Sequence, residues 1–195
     1  MNENNFLKQI QGIVTGDGFV REVSMPLTSL VATGASAAAL SSNVLVVTFD
    51  ADDESLTFPF KVPLDYDESV DELVVVLTCQ LTTGDLSGET DYITLGIDQV
   101  NRLQPGENAV EDLTTEAAAL EDNDDQDVDD VAAAEYIFTL SGLGLKVGDC
   151  LSIEIDAQET GTAVVTVYGA SIRYRSDLVS YLQANREAVD AAVSQ

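Results

Sequence analysis

The densest set of potential metal ligands in the chain is the acidic run 121–130 (EDNDDQDVDD). Hard carboxylate oxygens suit Ca²⁺, but the twelve-residue calcium loop needs a glycine at its sixth position and a bidentate glutamate at its twelfth. No aspartate start within the run supplies that glycine. The run reads as a solvated acidic loop, with a weak Ca²⁺ site as the other reading. The turn containing Asp50, Asp52, Asp53 and Glu54 reads the same way. Two carboxylates about 5–9.5 Å apart can hydrolyse a glycoside. With 35 acidic residues, however, chance pairs are inevitable, and no Trp is present to act as a sugar platform. There is no histidine, the side chain most used for proton transfer near neutral pH. No Ser or Cys therefore has the usual base, and no Gly-x-Ser-x-Gly elbow occurs. Gly142-Leu-Gly144 lacks the third glycine of a dinucleotide fingerprint and is read as a turn. The expectation is a protein that is not an enzyme, with no catalytic residue, metal or cofactor.

One basic and aromatic cluster stands out: Arg173, Tyr174 and Arg175, with Tyr168, Tyr181 and Arg186 nearby in sequence. Its charges either pair internally with the abundant carboxylates or dock an acidic partner surface, where Arg and Tyr are strong anchors. The candidate interaction residues are Phe6, Leu7 and Ile10 near the N-terminus, then Arg173, Tyr174 and Arg175. Leu178, Tyr181, Leu182 and Arg186 complete the set.

Thirty-five Asp plus Glu against eight Lys plus Arg give a formal charge of −27. Such a polyanion repels phosphate backbones and anionic lipid, so neither nucleic acid nor membrane is an expected partner. The first residues lack the basic and apolar regions of a signal peptide, and no apolar run is long enough to cross a bilayer. A soluble protein made in a cytoplasm is expected. Cys79 and Cys150, both within apolar strand patterns, are expected as buried free thiols. A bridge between them requires Cα atoms within about 7 Å.

Three zones position these residues. Residues 1–42 are irregular and rich in Gly, Ser, Ala and Thr, and read as an extended arm or linker, with one short strand at Phe19–Val23. Residues 43–175 alternate apolar and polar with period two, in about eight strands separated by Gly, Asp and Pro turns. Pro59 confines its strand to an edge or bulge. The acidic insertion 106–130 interrupts this pattern. The all-β alternation predicts an antiparallel two-sheet sandwich, jelly roll favoured. Residues 176–195 predict a C-terminal α-helix, capped by Ser176 or Asp177, with Leu178, Leu182, Val189 and Val193 on one face.

Phe58-Pro-Phe-Lys-Val-Pro-Leu-Asp-Tyr-Asp67, the Leu140–Asp149 turn region and Val167–Tyr174 come in a succession that resembles the jelly-roll virion accessory proteins of tailed bacteriophages, the capsid cement or decoration proteins. The likeness spans roughly residues 44–175 and rests on turn and strand patterns. It implies a structural protein of the capsid exterior, a homo-oligomer forming trimers, that clamps neighbouring copies of the major capsid protein or another virion protein. The alternative is a carbohydrate- or receptor-binding sandwich of a phage tail or fibre. That reading needs an exposed aromatic platform or a Ca²⁺-ordered loop.

Overall fold

The structure is a computed structural model that describes residues 19–35, 38–51, 53–83, 92–114, 126–129, 132–160 and 162–177. Its elements are β1 (Phe19–Met25), β2 (Val31–Thr33), β3 (Ala39–Ser41), β4 (Val44–Phe49), β5 (Glu54–Lys61) and β6 (Glu72–Thr83). They continue with β7 (Tyr92–Leu103), β8 (Glu111–Asp112), β9 (Gln126–Val128), β10 (Ala134–Ser141), β11 (Cys150–Thr160) and β12 (Val164–Ser176). A single 3-10 turn, Leu27–Ser29, follows β1.

The strands form two antiparallel sheets. One runs β10-β6-β12-β4-β3, with β1 also on β12; the other runs β2-β5-β11-β7-β8, with β9 also on β7. β1 and β4 share one side of β12: β4 pairs with Val165–Val167, and β1 with Ala170–Ser176. From β4 to β7 successive strands alternate between the sheets, and β10, β11 and β12 do so again. That wrapping is a jelly roll, as the alternating pattern predicts.

Period-two alternation is what builds the core. Along β6, Leu73, Val75, Leu77, Cys79 and Leu81 point inward and are buried, while Thr78, Gln80 and Thr82 point outward. Leu151, Ile153, Ile155 and Ala157 of β11 supply the opposing layer. Phe49, Phe58 and Phe138 are fully buried and hold the largest volumes. Cutting one of them to Ala costs about 3–5 kcal/mol. A recess of about 260 Å³ opens beside the 3-10 turn, against Leu27, Thr28, Leu30, Ala32, Val47 and Leu56.

Several expectations change. The described residues between 19 and 42 are not an arm lying on something else. β1 pairs with β12 over seven residues, β2 pairs with β5, and β3 with β4. Short strands of small residues resemble a linker in sequence because they carry too few apolar side chains to signal a core. Pro59 behaves as expected: the β2 pairing reaches no further along β5 than Thr57, so among the described residues β5 has only β11 beside it at Pro59. Cys79 is buried, and burial pushes its thiol pKa up, but Cys150, also free, is exposed at the start of β11. Ser176, an expected cap, is the last residue of β12, and its hydroxyl donates to Asp65. The expected helix beyond it, residues 178–195, lies outside the described residues, as do residues 1–18. Within the acidic insertion, Glu111–Asp112 and Gln126–Val128 are short edge strands on β7.

The loops at one end of the sandwich are tied together by carboxylates. Asp71 accepts the backbone N–H groups of Gly144 (2.7 Å) and Leu145 (2.9 Å), and Glu68 accepts that of Val147 (2.9 Å). Gly148 is in the left-handed region (φ 89°), with Pro105 Cγ 3.3 Å from where a Cβ would sit. A side chain there meets both backbone strain and a steric contact.

Candidate functional site

The outward residues of β6, β12, β10 and β1 make a polar face with two distinct parts. In the first, Arg173 on β12 sits opposite Glu22 on β1. Its Nε lies 3.2 Å from Glu22 Oε2, and its Nη2 donates to both Glu135 oxygens at 3.1 and 3.0 Å. To reach Glu135 on β10 the guanidinium crosses β6, where Val76 points outward yet is only 2% exposed. The Ser171 hydroxyl donates to Glu22 at 2.6 Å. That bond first, and the Arg173 guanidinium second, hold the Glu22 carboxyl below its ordinary range. The carboxylates in turn push the Arg173 pKa further up.

The second part lies at the irregularity in the β12–β6 pairing. The register shifts between Val167 and Gly169, leaving Tyr168 as the extra residue. Tyr168 is half-buried, and its hydroxyl donates to Gln80 Oε1 at 2.9 Å. Thr82 and Thr166 hydroxyls meet at 3.0 Å beside it. Gly169 follows the ring directly; a Cβ there would stand 3.7 Å from Thr78 Oγ1, so the glycine leaves a floor without a side chain on this same face. The result is one aromatic ring, a bare backbone patch and a rim of neutral hydroxyl and amide groups.

Two further polar clusters lie elsewhere in the sandwich. Asp65, 9% exposed, accepts the Ser176 hydroxyl (2.7 Å) and the Tyr174 hydroxyl (3.2 Å), and Arg21 Nε approaches it at 3.1 Å. Burial first, and the Asp65 charge second, push the Tyr174 pKa up. Arg102 is buried, donates to the Leu143 and Gly144 carbonyls at 3.1 and 3.0 Å, and pairs with Glu111 at 2.5 Å. Both clusters lock loops to strands.

Of the expected interaction residues, the structure describes three, and it separates Tyr174 from the two arginines. Arg173 lies on the outer face but is engaged by two carboxylates. Tyr174 is in the core, 5% exposed, beside Phe60 and Tyr66. Arg175 is half-buried, and its carbonyl accepts the Asp67 N–H at 2.9 Å. Phe6, Leu7, Ile10, Leu178, Tyr181, Leu182 and Arg186 lie outside the described residues. In the acidic turn, Glu54 Oε2 accepts the N–H groups of Asp50 (2.5 Å) and Ala51 (3.2 Å), so this carboxylate closes its own turn. In the acidic run, Asp127 accepts the Thr94 hydroxyl at 2.6 Å. Among the described residues no three Cys, Asp or Glu side chains are grouped to hold a metal ion. Sequence reasoning passed over Gln80, Thr82, Thr166 and Gly169. Their signal was the polar half of the same alternation that revealed the core.

No family model matches this chain, and no curated protein sequence does. Solved structures with a similar course of chain include the xylan-binding module CBM15, at 12% identity and TM-score 0.46, covering 82% of this chain and 99% of that one. Another is the CBM22-1 xylan-binding domain of Paenibacillus barcinonensis Xyn10C, at 14% identity and TM-score 0.41, covering 82% and 96%. A third is a family two carbohydrate esterase from Cellvibrio japonicus, at 10% identity and TM-score 0.43. This chain covers 35% of that protein's length, against 82% of its own. No residue role is carried from these proteins to this one.

Proposed function

We propose that this chain is a non-catalytic glycan-binding β-sandwich, and that a saccharide rests on the outer face at Tyr168 and Gly169. The observation that carries the reading is the Tyr168 bulge. It sets an aromatic ring beside a glycine floor, within a rim of Gln80, Thr82 and Thr166. A sugar ring offers a C–H face and hydroxyl edges, which suits a ring bordered by amide and hydroxyl groups. Tyr168 is the one member of that rim able to stack. Charge narrows the class: on a molecule of −27 with Glu22 and Glu135 nearby, a neutral polysaccharide is favoured over an acidic one.

The capsid-clamp reading gains no observation among the described residues. Of its expected anchors, Tyr174 is in the core and Arg173 is occupied by Glu22 and Glu135. The test is a panel of immobilised neutral and acidic polysaccharides, probed with the wild type and Tyr168→Ala. Saturable binding to a neutral glycan that Tyr168→Ala weakens at least tenfold is expected. Absence of binding to every glycan, together with saturable binding to protein-depleted capsids, overturns it in favour of the clamp.

A further inference from the structure

The Tyr168 patch does not end at β12. Gly169 stands opposite Thr78 on β6, and Thr78 opposite Glu135 on β10, so the three residues form one row across three strands of the outer face. The row is low: Gly169 has no side chain and Thr78 a short one, while longer side chains border both flanks. On one flank the Tyr168 hydroxyl is bonded to Gln80, the next outward residue of β6. On the other, the Arg173 guanidinium reaches over Val76 to Glu135. Two interstrand steps of about 4.8 Å set the Gly169 and Glu135 backbones about 10 Å apart. Glu135 closes the far end with a carboxylate that is held but not saturated. Arg173 Nη2 donates once to each oxygen, at 3.1 and 3.0 Å, whereas a carboxylate can accept about four hydrogen bonds. The Glu135 side chain is 52% exposed. The guanidinium is itself fixed by Glu22, which the Ser171 hydroxyl holds in turn. The carboxylate is thus placed before any ligand arrives, which lowers the ordering cost of binding.

We infer that this row is a two-subsite trough: one sugar ring rests at Tyr168 and Gly169, and the next ring of the same chain donates its hydroxyls to Glu135. The inference rests on the glycan reading and deepens it. A single pyranose ring on the Tyr168 patch does not reach Glu135, but its neighbour along a glycosidic chain does. The ligand is then a neutral oligosaccharide of at least two units, lying across the strands rather than along them. A carboxylate acceptor suits a ring that carries hydroxyls and repels one that carries carboxylate or sulfate. Arg173 becomes a positioning residue, acting on the sugar only through Glu135.

The test is titration of the full chain, followed by NMR so that millimolar affinities are read, with size-fractionated hydrolysates of cellulose, xylan and mannan from one to four units. For the wild type, affinity in at least one series is expected to rise about tenfold from one unit to two, the size of one charge-assisted hydrogen bond. Glu135→Ala is expected to abolish that rise and to leave the affinity for one unit within about twofold of the wild type. Glu135→Gln, which keeps the shape of the side chain, is expected to lose most of it. Arg173→Lys, which cannot bridge both carboxylates, is expected to reduce the rise without weakening the single unit. Thr139→Ala, further along β10 and outside the row, leaves the rise intact. Tyr168→Ala weakens every length alike. A wild type that binds one unit as tightly as two overturns the trough, and so does a rise that survives both Glu135 variants. Either result leaves the glycan reading standing if Tyr168→Ala still weakens every length. Binding to no fraction of any series overturns the trough and the glycan reading together.

Discussion

The Gln126 carboxamide holds the backbone of Ile137 at both ends: its nitrogen donates to the Ile137 carbonyl, and its oxygen accepts the Ile137 N–H at 3.3 Å. A side chain from one sheet thus imitates a neighbouring strand for the edge of the other. β9 carries Gln126 beside β7, and β10 borders β6, so this contact also joins the two sheets across an open side of the sandwich.

Replacing Gln126 with Ala removes both bonds from a partly solvated position. At about 0.5–1.5 kcal/mol net per hydrogen bond, unfolding in urea is expected to show a loss of about 1–2 kcal/mol. The larger effect concerns association. Ile137, 42% exposed, then lies on an unprotected edge, and light scattering should record aggregates that grow with protein concentration. A variant as monodisperse as the wild type would show that the plug does not guard this edge.

Asp65 joins the β5–β6 loop to β12 and β1 through Ser176, Tyr174 and Arg21. Asp65→Ala leaves two buried hydroxyls without their acceptor and Arg21 without its carboxylate. The expected loss is about 3 kcal/mol, read from the denaturant midpoint at constant slope. Asp98→Ala, at an exposed position beside the β7 irregularity, is the control and is expected to change stability by less than about 0.5 kcal/mol.

Stability against pH should fall at both ends, for opposite reasons. Glu22 is depressed below its ordinary value of 4.5, so the folded state holds the ionised form. Its contribution is complete above about pH 4.5 and is lost as pH falls through the lower folded value. Its exposure keeps that contribution small, and protonation elsewhere relieves part of the repulsion of a −27 chain. The measurement is therefore a comparison: Glu22→Gln should flatten the acid limb relative to the wild type. Tyr174 and Tyr66 are raised, chiefly by burial, so the folded state keeps their protons. Their contribution is complete below pH 10 and declines as pH rises beyond it. Tyr174→Phe should remove part of the alkaline decline while losing the bond to Asp65. An alkaline limb identical to the wild type's would mean that Tyr174 does not titrate on unfolding.

The sheets were legible in the sequence because burial on one face imposes a period of two, and runs such as Leu73–Leu81 carry it for many residues. Two kinds of feature were not legible. Ala39–Ser41 and Val31–Thr33 are strands because a neighbour's edge was available, a fact about tertiary pairing that a short stretch of small residues does not encode. Arg173, Tyr174 and Arg175 form one cluster in the sequence, but successive residues of a strand face opposite ways. That alternation sends Tyr174 to the core and Arg173 to the outer face. The Tyr168 bulge was hidden for a related reason. An irregular register depends on both strands, and nothing in Val167–Gly169 alone announces it.

That bulge allows a variant that separates binding from folding. Gly169 has no positive φ, and a Cβ there would meet Thr78 only at ordinary contact distances of 3.7 and 3.9 Å. Gly169→Leu is therefore expected to fold with stability within about 1 kcal/mol of the wild type, its side chain directed to solvent over the Tyr168 patch. The same side chain covers the floor on which a sugar ring would lie. Affinity for a neutral glycan is expected to fall at least tenfold, about 1.4 kcal/mol, with the same loss at low and high salt because no ion pair is involved. Gly148→Leu is the counterpart: a positive φ and Pro105 at 3.3 Å should cost stability, while a patch on another part of the molecule keeps its affinity at temperatures where the variant is folded. Should Gly169→Leu bind as the wild type does, the glycan does not rest on this face, whatever else the sandwich holds.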